Sequence, residues 1–139
     1  MSKDTKVTRH LPENVIHETM LNSHEPNEMA KRFSSPDYVI THSGGDQIAF
    51  SYMNLEAKIF WLPRFMNFIR TAKYNGYIDQ HLDTIIYDLS DKSWVNKAKE
   101  IMSQSETDAV AEFLEWVGDN RPEYIDPHFT YATYLWRKS

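Results

Sequence analysis

Four carboxylates, Asp108, Glu112, Glu115 and Asp119, recur at spacings of four, three and four. That period aligns side chains on one face of a helix. A pair of carboxylates performs acid–base chemistry when burial or a like-charged neighbour raises one pKa. Here the set lies opposite the apolar positions Val110, Phe113, Leu114 and Val117, so it is expected to be solvated, and its use is then electrostatic capture of a basic partner. Six histidines raise the question of metal ligation. His10, His17 and His24 are seven apart, but Pro12 and Pro26 interrupt any helix that would align them. No His-Glu-x-x-His pair is present, and His81 and Asp83 are two apart, on different helical faces. Neither a metal nor another cofactor is expected. Ser43 precedes Gly44-Gly45 without the Gly-x-Ser-x-Gly pattern of a nucleophile elbow or the Gly-Lys-Ser/Thr of a phosphate loop, so Ser43–Asp46 reads as a turn. There is no cysteine, which excludes disulfides, thiol catalysis and thiolate zinc sites. With no catalytic constellation, an enzyme is not expected.

Aromatic residues offer two further candidates. Phe60, Trp61, Phe65, Phe68 and Trp94 stand at positions that suit a helical core; the alternative is a ligand pocket beside Pro63, lined by Trp61, Arg64 and Trp94. Tyr74, Tyr77, Tyr124, Tyr131 and Tyr134 are less easily absorbed by a core. Tyr124 and Tyr131 lie close in sequence to the acidic stripe, and tyrosine is enriched where proteins meet.

The elements that must position these groups read as short helices. Val15, Ile16, Met20 and Leu21 follow helical spacing, and residues 27–33 form a second short segment closed by Pro36. Asp37–Thr41, short and rich in β-branched and aromatic residues, is the one stretch with strand character. Asn54 is an N-cap for a helix on which Leu55, Ile59, Leu62, Met66 and Ile69 share a face. Pro63 removes one hydrogen bond there, while the stripe keeps its phase, which predicts a kinked helix or two helices meeting at an elbow. Residues 79–90 form a further helix. Ser93 is expected to cap another, with Trp94, Val95, Ala98, Ile101 and Met102 inward. Ser103 and Glu106 form a capping box that opens a helix over 104–118, and Gly118 stands near its end as a C-cap. Asp126-Pro127 starts the last helix, over 127–137, with Phe129, Ala132 and Trp136 on one face and Arg137-Lys138 near its C-terminus. The fold class predicted is all-α, a compact orthogonal bundle of short helices with at most one short β-segment near 37–42. Residues 1–12 read as a flexible polar tail and 13–139 as a single domain.

Composition bounds the partner. The chain has 139 residues and net charge −5. Residues 1–73 carry nine Lys/Arg and eight Asp/Glu, whereas residues 74–139 carry six and twelve. The acidity thus belongs to the C-terminal half, which disfavours nucleic acid and suits a basic protein. The longest uncharged apolar run, Ile59–Pro63, is far short of the ~20 residues of a membrane span. The N-terminal stretch lacks the apolar core of a secretory signal. A cytoplasmic location is expected.

Three segments carry a resemblance. Phe50–Ala57 followed by Trp61-Leu62-Pro63-Arg64-Phe65-Met66, then Ser105–Trp116, then Ala132–Trp136 together resemble a family of small bacterial helical proteins marked by a Glu-Ala pair ahead of a Leu-Pro step. The resemblance spans roughly residues 48–137 and implies a helical fold without implying any chemistry. In size and charge alone, the chain is also similar to bacterial immunity proteins, which neutralise basic toxins. The functional expectation is a small acidic protein-binding protein, with Asp108, Glu112, Glu115 and Asp119 steering the encounter and Tyr124 and Tyr131 supplying contact area. The alternatives are a small-molecule binder or cryptic enzyme using the Pro63 pocket, or a self-associating dimer.

Overall fold

A computed structural model of the chain describes residues 9–16, 24–41, 45–73 and 76–137. Outside them lie most of the expected tail, His17, Met20, Leu21, Ser43, Gly44, Tyr74 and Lys138. Seven α-helices follow one another: α1 (His24–Phe33), α2 (Asp46–Tyr52), α3 (Leu55–Thr71), α4 (Gly76–Leu89), α5 (Lys92–Ile101), α6 (Gln104–Asn120) and α7 (Pro127–Trp136), with a 3-10 turn at Pro122–Tyr124. No sheet forms among the described residues. The fold is all-α, and its residues group into two units, 9–85 and 86–137, whose boundary falls inside α4.

In the 9–85 unit the core is built on α3. Asn54 caps this helix by accepting from the Ala57 N–H at 3.0 Å, and the helix runs unbroken through Pro63 to Thr71. One continuous helix thus stands where two meeting at an elbow were an option. Ile59, Leu62, Met66 and Ile69 are all buried, and Pro63 is on the solvent side. The missing N–H falls at the face where water can reach the backbone, which limits the penalty. Phe33 joins α1 to this core, edge-on to Tyr38 and Trp61 and stacked on Phe65, with ring centroids 5.0, 5.0 and 5.8 Å away. Each such burial is worth roughly 1.5–3 kcal/mol.

Three local expectations for this unit are corrected. Val15 and Ile16 are buried but not helical: Ile16 forms an isolated antiparallel bridge with Met53, and the carbonyl of Val15 accepts from the Asn54 N–H at 2.9 Å. Backbone pairing at the α2–α3 junction outcompetes a local helix there. Residues 38–41 form no strand, because the Thr41 N–H donates to the Asp46 carboxylate at 3.0 Å rather than to a ladder. Asp46, expected as the last residue of a turn, is instead the first residue of α2. Gly45 precedes it at φ 86°, a left-handed conformation that glycine adopts without strain, and no side chain caps that helix.

The 86–137 unit follows its caps closely. The Ser103–Glu106 capping box closes in both directions, at 3.2 and 2.8 Å. Asp126 accepts from the Phe129 N–H at 2.8 Å with Pro127 in the first turn. Val110, Phe113, Leu114, Val117, Phe129, Ala132 and Trp136 are buried, and α6 packs on α7. The cap of α5 is Asp91 rather than Ser93; Asp91 accepts from both the N–H and the hydroxyl of Ser93. Ile101, expected inward, is exposed, since it ends α5 beyond the last full turn of the Trp94–Ala98 face. Gly118 is not a C-cap, because α6 continues to Asn120. Its place is instead explained by close approach: a Cβ there would lie 3.4 Å from the Phe129 ring.

Candidate functional site

Two surfaces and one buried cluster hold the chemistry-bearing residues. In the 86–137 unit, the periodicity of α6 places Glu112, Glu115 and Asp119 in solvent on the face opposite its core residues. Asp108 differs: it is half-buried and accepts from the Gln104 amide at 2.8 Å one turn earlier. The exposed part of the stripe is therefore three carboxylates. Tyr131 is exposed and stacks on Tyr134, with centroids 6.1 Å apart and rings 16° from parallel. Tyr124, on the 3-10 turn, is half-buried and presents less area. Of the six large hydrophobic side chains exposed among the described residues, Tyr87, Ile101, Ile125, Tyr131 and Tyr134 belong to this unit.

A cleft of about 400 Å³ in the same unit is lined by Tyr87, Ser90, Asp91, Lys92, His128 and Tyr131. Ser90 and His128 approach to 3.4 Å, but the Ser90 hydroxyl donates to the Tyr87 carbonyl at 2.6 Å. The shorter of these two contacts engages the hydroxyl with the backbone rather than with the imidazole. Asp91 is engaged in capping α5.

In the 9–85 unit, Arg64 behaves differently from the two tryptophans with which sequence reasoning grouped it. Trp61 is fully buried and donates its indole N–H to the Phe33 carbonyl at 3.1 Å. Trp94, in the other unit, is buried and donates to the Asp88 carbonyl at 2.7 Å. Both indole N–H groups are thus engaged with backbone carbonyls. Arg64 lines a groove of about 310 Å³ between the irregular segment at Tyr38, Val39 and Ile40 and the α3 residues Arg64, Asn67, Phe68 and Thr71. Its guanidinium sits 3.9 Å from the centroid of the Phe60 ring and donates through Nη1 to the Phe60 carbonyl at 2.8 Å. Partial burial pulls its pKa below the ordinary arginine value, a sign that the charge is incompletely solvated.

The groove's far wall is held by a buried carboxylate that sequence reasoning placed in a turn. Asp46 is fully buried. It accepts from Arg32 Nε at 3.0 Å, from the Tyr38 hydroxyl at 2.6 Å, and from the N–H and hydroxyl of Thr41 at 3.0 and 3.1 Å. The Thr41 carbonyl in turn accepts from His81 Nε2 at 3.0 Å, which assigns the hydrogen to that nitrogen. Burial first, and the bond to Asp46 second, push the Tyr38 pKa above its ordinary value. The signal available in the sequence was Asp46 following a glycine pair; its partners lie five, eight and fourteen residues away, beyond any local pattern. Among the described residues, no group of three or more His, Asp or Glu side chains is arranged to hold a metal, and no helix is long and apolar enough to cross a membrane.

Compared with protein families, curated proteins and solved structures, the chain matches none.

Proposed function

We propose that this chain is a protein-binding protein that captures a basic partner through its 86–137 unit, in the manner of an immunity-type inhibitor of a basic bacterial toxin. One observation carries the reading: the solvated carboxylates Glu112, Glu115 and Asp119 share a unit with five of the six exposed large hydrophobic side chains. Residues 86–137 hold ten Asp/Glu against five Lys/Arg, a net of −5. Such a field steers a positively charged protein toward the surface, and tyrosines supply contact area with little entropy to lose.

Affinity capture from the cells that make the protein tests this. The wild type is expected to retain a partner rich in Lys and Arg that is released as salt shortens the Debye length below about 8 Å. The E112K/E115K/D119K variant is expected to retain none of it, while keeping its helical circular dichroism. Recovered proteins with no basic excess, or equal recovery by the charge-reversed variant, overturn the reading.

A further inference from the structure

We infer that the groove beside Arg64 is a receptor for a small organic acid, a carboxylate carried on an apolar body, independent of the surface on the 86–137 unit. Four observations combine. First, the guanidinium is pre-placed. Its Cζ lies over the Phe60 ring, 3.9 Å from the centroid, and Nη1 is anchored to the Phe60 carbonyl, so little side-chain freedom remains to be lost on binding. Second, among the described residues no carboxylate pairs with it. The edge carrying Nε and Nη2 keeps the fork geometry that matches a carboxylate bidentately. Third, the opposite wall is rigid, since Tyr38 and Thr41 flank Val39 and Ile40 and both are tied to the buried Asp46. Fourth, the remaining lining is mixed in the right sense: Val39, Ile40 and Phe68 are apolar, and the Asn67 amide adds a polar group one turn along α3.

The chemistry that suits this arrangement is an anion at the Arg64 end with hydrocarbon against Val39 and Phe68. Val39 is 76% exposed, and contiguity with an apolar ligand gives that side chain a use. A volume of about 310 Å³ is at the small end of ligand pockets and fits a molecule of the size of a simple aromatic acid. A cation is disfavoured by Arg64 itself, and a bare inorganic anion leaves the apolar wall unused.

Titration of the ¹⁵N-labelled protein with sodium benzoate, sodium acetate and benzylamine, followed by NMR, tests the assignment. Benzoate is expected to shift the Arg64 Nε–H and the amides of Val39, Phe68 and Thr71 saturably, at least about tenfold more tightly than acetate, and benzylamine is expected to shift none of them. R64M keeps the stem over Phe60 and removes the fork; it is expected to abolish the benzoate shifts. V39D places a like charge on an exposed position of the opposite wall and is expected to abolish them too, with V39K retaining them. Both positions reach solvent, so the amide spectrum of each variant reports an intact fold. Non-saturable benzoate shifts, equal response to benzylamine or acetate, or shifts that survive in R64M would each overturn the proposal. None of these outcomes bears on capture through α6, so the two readings fail separately.

Discussion

At the scale of single residues, Asp46 does the most. A sealed carboxylate is tolerated only when its lone pairs are occupied, and here four donors from three residues occupy them. Removing it takes away the acceptor shared by Arg32, Tyr38 and Thr41. Arg32 is 28% exposed, which places the loss at the lower end for a broken buried pair, and D46A is expected to cost about 3 kcal/mol in urea unfolding. Tyr38 gives a second test, through pH. Its folded pKa is raised above 10.0, so the neutral phenol is the form that the fold favours. Its contribution is full below the unfolded value and fades as pH climbs through the higher folded one. The stability difference between wild type and Y38F is therefore expected to be largest at neutral pH and to narrow above pH 10.0, measured by urea titrations at successive pH values. His81, buried against Phe68 at 4.9 Å, completes this cluster by holding the Thr41 carbonyl.

At the scale of elements, legibility tracked the caps. Asn54, the Ser103–Glu106 box and Asp126-Pro127 each combine a side-chain acceptor with a nearby apolar period, and all three open helices where expected. α2 offered neither. It is seven residues long and begins on a left-handed glycine without a side-chain cap, so no period could declare it. The strand character of 37–41 was real propensity overridden by tertiary bonding to Asp46. The acidic face of α6 was readable because a helix repeats in sequence. The Arg64 groove was only half readable, because one wall belongs to a helix and the other to an irregular segment whose path depends on a buried ion pair. Two predictions belong here. An interior proline costs about 3 kcal/mol against alanine, and its restraint of the unfolded chain returns up to about 1 kcal/mol. Because solvent at the Pro63 face limits the penalty, P63A is expected to stabilise the protein by no more than about 2 kcal/mol in denaturant titration. At the C-terminus of α4, where helices leave carbonyls unmatched, the Asp88 and Leu89 carbonyls accept from the indoles of Trp94 and Trp136, the latter at 3.0 Å. W136F leaves a buried acceptor unmet and opens space. It is expected to cost about 3 kcal/mol, read from the same titrations.

At the scale of the whole molecule, each unit has its own core and its own polar surface, and α4 contributes to both lists of buried residues. Leu82 and Ile85 lie on one side of the unit boundary and Ile86 and Leu89 on the other, none more than 3% exposed. Hydrogen exchange should therefore rank the amides of α3 and α4 among the slowest in the chain. The Val39 amide, on an exposed residue, should exchange quickly, and the Thr41 amide two residues on should stand out as slow because Asp46 holds it. A fast Thr41 amide, or rapid exchange across 82–89, would contradict the account. Charge follows the same division. Residues 86–137 carry the net of −5, so ionic strength is expected to act on association through that unit and to leave the aromatic packing around Phe33 unaffected.

The indole of Trp136 serves a carbonyl made 47 residues earlier. A ribosome extends α4 to its last residue and then synthesises α5, α6 and all but the last residue of α7 before the donor for Leu89 exists. Throughout that interval the end of α4 must borrow water. Co-translational closure of this half is thereby postponed until α7 clears the exit tunnel, and a nascent chain stalled ahead of codon 136 should remain open to protease just after Leu89.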